Sequence, residues 1–320
     1  MDCAPSPMAT NRGKNAGSPA ALDTRSATEA LETLENEDSS FNYFIDEGLI
    51  TDVVRVIKTG KEASVHQCRA NPVTGENLVA LKLYHPLDRR DFRDESLYRD
   101  GEWIKERRIR VALDKRTRFG REVQGGIWVN REWETLQALS EAGAPVPRPI
   151  EVTDRAILMS YIGDRDEAAP QLHRYRMRDD AEAEELLEQC VHAIERMLFH
   201  DVIHGDLSPF NVLVWEERIY VIDLPQAVDP KKNRHAESLL ARDVARICEH
   251  FARRGASREP AVTAADLWTA WTFWLSGGPT NAITGKCWSS TARPASRAPA
   301  RSRPRPSTSR SGSRTSRRTA

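Results

Sequence analysis

The stretch that decides the fold is HGDLSPFNVLV at residues 204–214, followed by YVIDLPQAVD at residues 220–229. Two aspartates, Asp206 and Asp223, and one asparagine, Asn211, stand at the ends of two short apolar runs. Because Asp, Ser, Pro and Asn are turn formers, the stretch alone is compatible with an ordinary hairpin. It also fits a site in which all three side chains face a metal-bound phosphate. The rest of the sequence separates these two interpretations.

The charge of the chain is unevenly distributed. Its 320 residues leave room for two lobes with real cores, and they include 47 basic and 47 acidic residues. Residues 279–320 hold ten of the basic residues and none of the acidic ones. The sequence therefore predicts an acidic body followed by a basic tail.

The cysteines and the apolar segments indicate a cytoplasmic protein without a membrane span. Without CxxC or CxxH spacing, the five scattered cysteines argue for a reducing compartment and against a disulfide framework or zinc site. No apolar signal core is visible, and the most apolar late stretch, residues 261–275, is too short to span a membrane and contains Asp266. Trp268, Trp271 and Leu275 share one helical face of that stretch, which predicts core packing.

Residues 41–163 predict a β-rich half. Alternating apolar residues predict strands at residues 51–60, 62–68 and 77–84 and a further strand at 156–163. Apolar residues near period 3.6 predict a helix at residues 127–143 that ends at Gly143. The charged stretch 88–122 is expected to be a solvated loop or a weak helix.

Residues 164–278 predict a mainly helical half, with amphipathic helices at 180–200 and 236–254. Residues 1–40, with a marginal helix near 27–36, and residues 279–320 lack the apolar content for a core, so both are expected to be disordered.

Two features of the β-rich half point to an anion. Gly60 joins two predicted strands, where backbone N–H groups can approach an anion and Lys61 adds charge, although an ordinary hairpin turn explains the pattern as well. Lys82 lies in the apolar strand VALKLY on one face with Ala80 and Tyr84. A lysine there costs free energy unless it meets an anion, or unless the strand is an edge strand and the lysine faces water.

The acidic residues complete the pattern of a two-lobed kinase. Glu132 lies one helical turn from Trp128 and can reach inward to hold Lys82, whereas the alternative is a solvated helix glutamate. Asp206 and Asn211 have the spacing of a loop whose Asp accepts a hydroxyl proton and whose Asn binds magnesium. Asp223 then ends a strand, where a second metal carboxylate is needed. This order predicts an α+β, protein-kinase-like fold with bound ATP and Mg²⁺.

At this point the chain resembles the RIO family of atypical protein kinases. The resemblance rests on TGKEASV, VALKLY, MSYIG, HGDLSPFN and IDLPQAV, and it runs from about Phe41 to Gly255. DFRDESLYRDGEW is similar to the flexible loop of the first subgroup, whereas IDLPQ is similar to the second. Only a dozen residues separate Asp223 from the helix predicted near Ala236, which leaves no room for a long activation loop.

The resemblance assigns residues to the nucleotide. It implies that Lys82 contacts the phosphates of ATP and pairs with Glu132, and that Ser64 also meets the phosphates. Ser160 and Ile162 would meet the adenine at the hinge.

The same resemblance assigns the chemistry. Asp206 would be the catalytic base, and Asn211 and Asp223 would be the magnesium ligands. Because the metal-binding aspartate of this family can itself accept phosphate, ATP hydrolysis is implied alongside serine/threonine phosphorylation.

Other functions and a different origin of the tail stay open at this point. A small-molecule kinase of the aminoglycoside or choline type shares HGD-x4-N but should lack GKEA. A ribosome- or RNA-associated assembly factor with ATP as its switch would use the basic tail. The Arg/Ser/Pro bias of residues 279–320 also fits a frame-shifted end of the gene.

Overall fold

The computed structural model describes residues 41–85 and 118–277 of the chain. The disorder predicted for residues 1–40 and 279–320 lies outside the described residues, and so does most of the charged stretch 88–122. The described residues form a sheet-rich N-lobe and a mainly helical C-lobe. This is the α+β, kinase-like architecture that the sequence predicts.

The N-lobe is built on one antiparallel sheet of five strands in the order β1-β2-β3-β5-β4. The strands are β1 (Ile50–Thr59), β2 (Ala63–Ala70), β3 (Leu78–Tyr84), β4 (Pro149–Val152) and β5 (Ala156–Ser160). A short 3₁₀ helix, Pro72–Thr74, connects β2 to β3. Since β3 is the central strand, Lys82 is not an edge-strand residue, and that alternative is excluded.

The two faces of the sheet have different partners. Leu81, Leu83 and Leu158 are buried on the outer face, where they pack with Phe44 from the short helix at residues 41–46. Because successive side chains of a strand alternate, Lys82 points to the opposite, inner face. This inner face turns toward the C-lobe, and the space between them is the cleft.

A long helix closes the N-lobe behind the cleft. Helix α1 spans Arg118–Glu141, so it begins earlier than the predicted residue 127. The predicted cap is confirmed: Gly143 has φ +69°, and the next amide, Ala144 N–H, donates to Leu139 O at 2.9 Å. Trp128 and Leu136 are buried, as the periodicity predicts.

The described part of the C-lobe, up to residue 277, consists of three helices and a two-stranded sheet. Its elements are α2 (Asp180–Phe199), β6 (Val212–Trp215), β7 (Arg218–Val221), α3 (Ala236–Ala252) and α4 (Pro260–Leu275). Trp271 on α4 is buried as predicted, whereas the expectation for Leu275 is wrong, since it is 42% exposed at the end of that helix. None of the helices within the described residues is long and apolar enough to cross a membrane.

The hairpin formed by β6 and β7 brings the opening motif together. Its turn is Glu216–Glu217, with φ of 48° and 60°, and not the Asp- and Pro-rich segment before β6. Antiparallel pairing places the start of β6 beside the end of β7, and Ile222 N–H donates to Asn211 O at 3.0 Å. Because α3 begins at Ala236, the predicted absence of a long activation loop is confirmed.

Candidate functional site

The centre of the site is an ammonium group shared by two carboxylates. Lys82 Nζ lies 2.8 Å from each carboxylate oxygen of Glu132 and 2.7 Å from Asp223 Oδ1. The Lys82 and Glu132 side chains are 10% and 4% exposed, whereas the Asp223 side chain is 40% exposed. Lys82 on β3, Glu132 on α1 and Asp223 after β7 therefore tie the two lobes together across the cleft.

Burial and charge pairing shift the pKa values of this cluster in opposite directions. Burial alone would lower the pKa of Lys82, but Asp223 and Glu132 outweigh it and the pKa is raised. Burial alone would raise the pKa of Asp223, but the Lys82 ammonium outweighs it and the pKa is lowered. For Glu132, burial outweighs Lys82 and the pKa is raised. One ammonium facing two carboxylates leaves the cluster one positive charge short, so it favours a further cation at the exposed carboxylate, Asp223.

The backbone at Asp223 is held in an unusual conformation. Asp223 has φ +69°, in the left-handed region that non-glycine residues rarely adopt. The next residue, Leu224, donates its N–H to Glu132 Oε1 at 3.2 Å. Such conformations persist only where surrounding contacts fix them, and they concentrate at functional sites. The contacts here are the hairpin and the Lys82–Glu132 pair.

The 204–211 loop is fixed from below by α3. Asp243 is 1% exposed and accepts hydrogen bonds from Gly205 N–H at 2.8 Å and Leu207 N–H at 3.1 Å. Burial raises its pKa to about 7, although the two amides partly oppose the shift. His204 is also buried: its Nε2 lies 3.1 Å from Ile222 O, and its Nδ1 accepts from Asp206 N–H at 3.3 Å. These contacts assign a neutral imidazole protonated at Nε2, in line with a pKa that burial lowers.

The loop presents Asp206 and Asn211 on its open side. Asp206 Oδ1 lies 2.6 Å from Arg246 Nη1 of α3, and the Asp206 side chain is 43% exposed. Asn211 Nδ2 donates to Asp206 O at 3.0 Å, so the amide oxygen of Asn211 points the other way. Within the described residues, the second carboxylate oxygen of Asp206 and the amide oxygen of Asn211 have no hydrogen-bond partner, so both can contact groups in the cleft.

The glycine loop lies between β1 and β2 with Gly60 and Lys61 exposed at its tip. Gly60 N–H donates to Ala63 O at 2.9 Å and closes the turn. The sequence-based expectation for Ser64 is not supported. Ser64 pairs with Leu83 and so points to the outer face of the sheet, where its Oγ lies 2.8 Å from His66 Nε2. Its side chain therefore faces away from the cleft.

The hinge follows β5. Ser160 N–H donates to Arg148 O at 2.8 Å, and Ser160 Oγ accepts from Arg148 N–H at 2.9 Å. Ile162 O accepts from Ala169 N–H at 3.0 Å, whereas the Ile162 N–H has no acceptor within the described part of the chain. This amide is thus available to a ligand in the cleft.

The structure brings most of the predicted residues together and adds two that sequence reasoning missed. Lys82, Glu132 and Asp223 form one cluster, and Asp206 and Asn211 lie on the loop beside it. The missed residues, Asp243 and Arg246, hold the loop from α3. For Asp243 a signal existed, because it is an acidic residue on the apolar face of α3. The apolar residues on that face include Leu239, Leu240, Val244 and Ile247.

The donor set limits what metal the site could hold. Within residues 41–85 and 118–277, no group of three or more His, Cys, Asp and Glu side chains could ligate a metal. A cation at Asp223 and Asn211 would have one carboxylate and one amide from the protein. Mg²⁺ is bound in this way when phosphate oxygens and water complete its shell.

Comparison with known proteins shows the family of the chain. The family model for the RIO domain matches residues 64–264. The serine/threonine-protein kinase RIO1 of Chaetomium thermophilum is 30% identical over 221 residues, which cover 66% of this chain and 41% of that protein. The RIO-type serine/threonine-protein kinase Rio1 of Thermoplasma acidophilum is 31% identical over 189 residues, which cover 59% of this chain and 92% of that protein. The match thus spans less than half of the fungal relative and nearly all of the archaeal one.

A solved structure shows the same fold. The complex of the Chaetomium thermophilum Rio2 kinase with ADP/Mg²⁺ and phosphoaspartate superposes with a TM-score of 0.55 at 23% identity. The superposition covers 72% of this chain and 64% of that one. At this identity the likeness concerns the fold.

Proposed function

Because this chain belongs to the RIO domain family, we propose that it is an atypical serine/threonine protein kinase that transfers the γ-phosphate of Mg-ATP. The observation that carries the proposal is the Lys82 ammonium shared by Glu132 and Asp223. It stands beside a loop that presents Asp206 and Asn211. Phosphoryl transfer depends mainly on positioning and on charge, and these are what the arrangement supplies.

The nucleotide would lie in the cleft with its adenine at the hinge. The free Ile162 N–H is a donor for a ring nitrogen of the base, and Ser160 is the adjacent hinge residue. Gly60 and Lys61 would cover the phosphates from above. Lys82, held in place by Glu132, would contact them from the inner face of the sheet.

Magnesium would be held by Asn211 and Asp223. Their free oxygens are hard ligands of the kind that Mg²⁺ prefers, and Asp223 stays ionised because Lys82 lowers its pKa. When bound, the ion would neutralise charge on the phosphate oxygens. The chain's own part is to hold these two oxygens at the end of the hairpin.

Asp206 is the candidate general base. Its free carboxylate oxygen would accept the proton of an incoming serine or threonine hydroxyl while Arg246 holds the other oxygen at 2.6 Å. The loop contacts from Asp243 fix where that carboxylate stands. Asp206 thus orients the attacking oxygen toward the γ-phosphorus.

Asp223 is also a candidate phosphate acceptor. The related Rio2 kinase was solved with ADP, Mg²⁺ and phosphoaspartate, and the 40% exposure of Asp223 leaves its free oxygen accessible from the cleft. Hydrolysis of such an acyl phosphate would make the chain an ATPase alongside its kinase activity.

Partners and location are part of the same proposal. The acceptor is a protein hydroxyl, and the ten basic residues of 279–320 would bind RNA or a ribosomal particle through phosphate contacts. Such a partner fits the cytoplasmic location indicated by the scattered cysteines.

Calorimetric titration with Mg-ATP tests the assignment of the two aspartates. Asp223→Asn should lose magnesium-dependent affinity because the variant removes a charged ligand. Asp206→Asn should keep most of the affinity and lose turnover, by about 10²–10⁴-fold, because the base acts on the acceptor and not on the nucleotide. Equal affinities in the two variants would show that the roles are wrongly assigned.

A further inference from the structure

Lys58 near the end of β1 faces the cleft because the strand is irregular. Arg55 pairs with Gln67 on the inner face, so strict alternation would turn Lys58 to the outer face. The β1–β2 register shifts between Val56 and Lys58, however, and Lys58 pairs with Val65. The residue between Val56 and Lys58 is therefore an extra, unpaired residue, which forms a β-bulge. A bulge changes the direction of the side chain that follows it, and bulges are frequent beside active sites.

The register places Lys58 in the row of Lys82. Val65, the partner of Lys58, pairs on its other side with Lys82. Directly paired residues project to the same face of a sheet, so both lysines point into the cleft. The two backbones are separated by two strand spacings, about 10 Å. Two long side chains at that separation can reach the two ends of a polyphosphate.

The effect of Lys58 on ionisable groups of the C-lobe agrees with a side chain that points into the cleft. Lys58 contributes to the lowering of the pKa of His173, after burial and Arg174, and it is among the cations that lower the pKa of Asp223. Both groups belong to the C-lobe. The Lys58 ammonium is therefore within electrostatic reach of the opposite wall of the cleft.

Unlike Lys82, Lys58 has no ion-pair partner among the described residues. Lys82 is shared by Glu132 and Asp223, whereas the Lys58 side chain is exposed and makes no salt bridge or hydrogen bond with the described residues. A nucleoside triphosphate that enters the cleft thus meets one cation already balanced by two carboxylates. Lys58 supplies a positive charge that no carboxylate of the described residues neutralises.

We propose that Lys58 is a phosphate-binding residue that contacts the terminal phosphate of the nucleoside triphosphate. The inference rests on the proposed function, since it assumes that the triphosphate lies over Lys82 and Asp223. It makes Lys58 a residue that distinguishes ATP from ADP. An edge-strand lysine that only keeps β1 soluble would not make that distinction.

The test is calorimetric titration of the full chain with Mg-ATP, Mg-ADP and adenosine. Lys58→Gln should weaken Mg-ATP about tenfold, the worth of a charge-assisted hydrogen bond, and leave Mg-ADP and adenosine within about twofold. Lys58→Arg should restore most of the ATP affinity. Arg69→Gln, which removes an exposed cation at the far end of β2, is the matched control and should bind all three ligands like wild type.

The outcomes separate the two proposals. Equal weakening of Mg-ATP and Mg-ADP, or unchanged Mg-ATP affinity in Lys58→Gln, overturns the role of Lys58. If the wild-type chain itself binds no Mg-ATP, the proposed function fails, and with it the inference that rests on it.

Discussion

Replacing Lys82 by methionine should destabilise the protein as well as inactivate it. From sequence alone, a lysine that only orients phosphates should be removable without loss of fold. In the structure Lys82 is the cation of a buried pair, and breaking such a pair costs about 3–5 kcal/mol because a charge is left unpaired. Asp223, 40% exposed, can be hydrated, whereas Glu132, 4% exposed, cannot. The charge left unpaired is therefore that of Glu132. We expect Lys82→Met to lower the free energy of unfolding by about 3 kcal/mol at pH 8.

The penalty should depend on pH in a defined direction. In Lys82→Met the Glu132 carboxyl loses its cation, so its pKa in the folded protein lies further above the ordinary 4.5. A carboxyl with a raised folded pKa destabilises the fold as the pH rises through that value. The difference in free energy of unfolding between Lys82→Met and wild type should thus become smaller as the pH falls from 8 to 5.

A second substitution separates stability from activity. Glu132→Gln in the Lys82→Met background removes the stranded charge and should recover most of the lost free energy of unfolding. The double variant should stay inactive, because no ammonium faces the phosphates. Urea unfolding at pH 5 and pH 8, with turnover measured on the same samples, gives both readouts, and Glu132→Gln alone is the control. Wild-type stability of Lys82→Met at both pH values, or turnover regained by the double variant, would refute this reasoning.

Two further predictions concern acid stability and the basic tail. Asp243, whose pKa rises from 3.8 to about 7 on folding, loses about 4 kcal/mol of stabilisation as the pH rises through that window. His250 is buried in the last turn of α3, and burial together with the nearby Arg254 lowers its pKa from 6.5 to about 4. Its contribution to stability therefore increases by about 3 kcal/mol as the pH rises from 4 to 6.5, so the two slopes oppose each other in wild type. Urea unfolding of Asp243→Asn should show stability rising with pH relative to wild type, and His250→Gln should show it falling; slopes parallel to wild type would contradict both assignments. Deleting residues 279–320 should weaken RNA binding at low salt and leave Mg-ATP binding unchanged, and equal RNA affinity of the two chains would remove that role from the tail.

The sequence predicts the site well where a side chain has few possible partners. Lys82 in an apolar strand needs an anion, and the structure supplies Glu132 and Asp223. The spacing of Asp206 and Asn211 is local, so the loop that carries them could be read directly from the chain. The order of strands and helices follows from apolar periodicity in the same way.

The errors and omissions arise where a side chain's direction depends on long-range packing. The outer-face position of Ser64 follows from its pairing with Leu83, which alternation within β2 does not reveal. The inward position of Lys58 depends on a register shift against β2. Arg246 reaches Asp206 only because α3 packs beneath a loop 40 residues earlier in the chain. Leu275 is exposed because it is the last residue of α4, where the helix leaves the core.

The central claim is that Asp223, ionised beside Lys82, makes phosphoryl transfer from ATP depend on magnesium. The most direct measurement is incubation of the full chain with γ-labelled ATP, with magnesium or with EDTA, followed by hydroxylamine treatment. Wild type should release labelled phosphate and carry hydroxylamine-sensitive label only with magnesium, and Asp223→Asn should do neither. Turnover that persists in EDTA, or label of the same sensitivity on Asp223→Asn, would contradict the account.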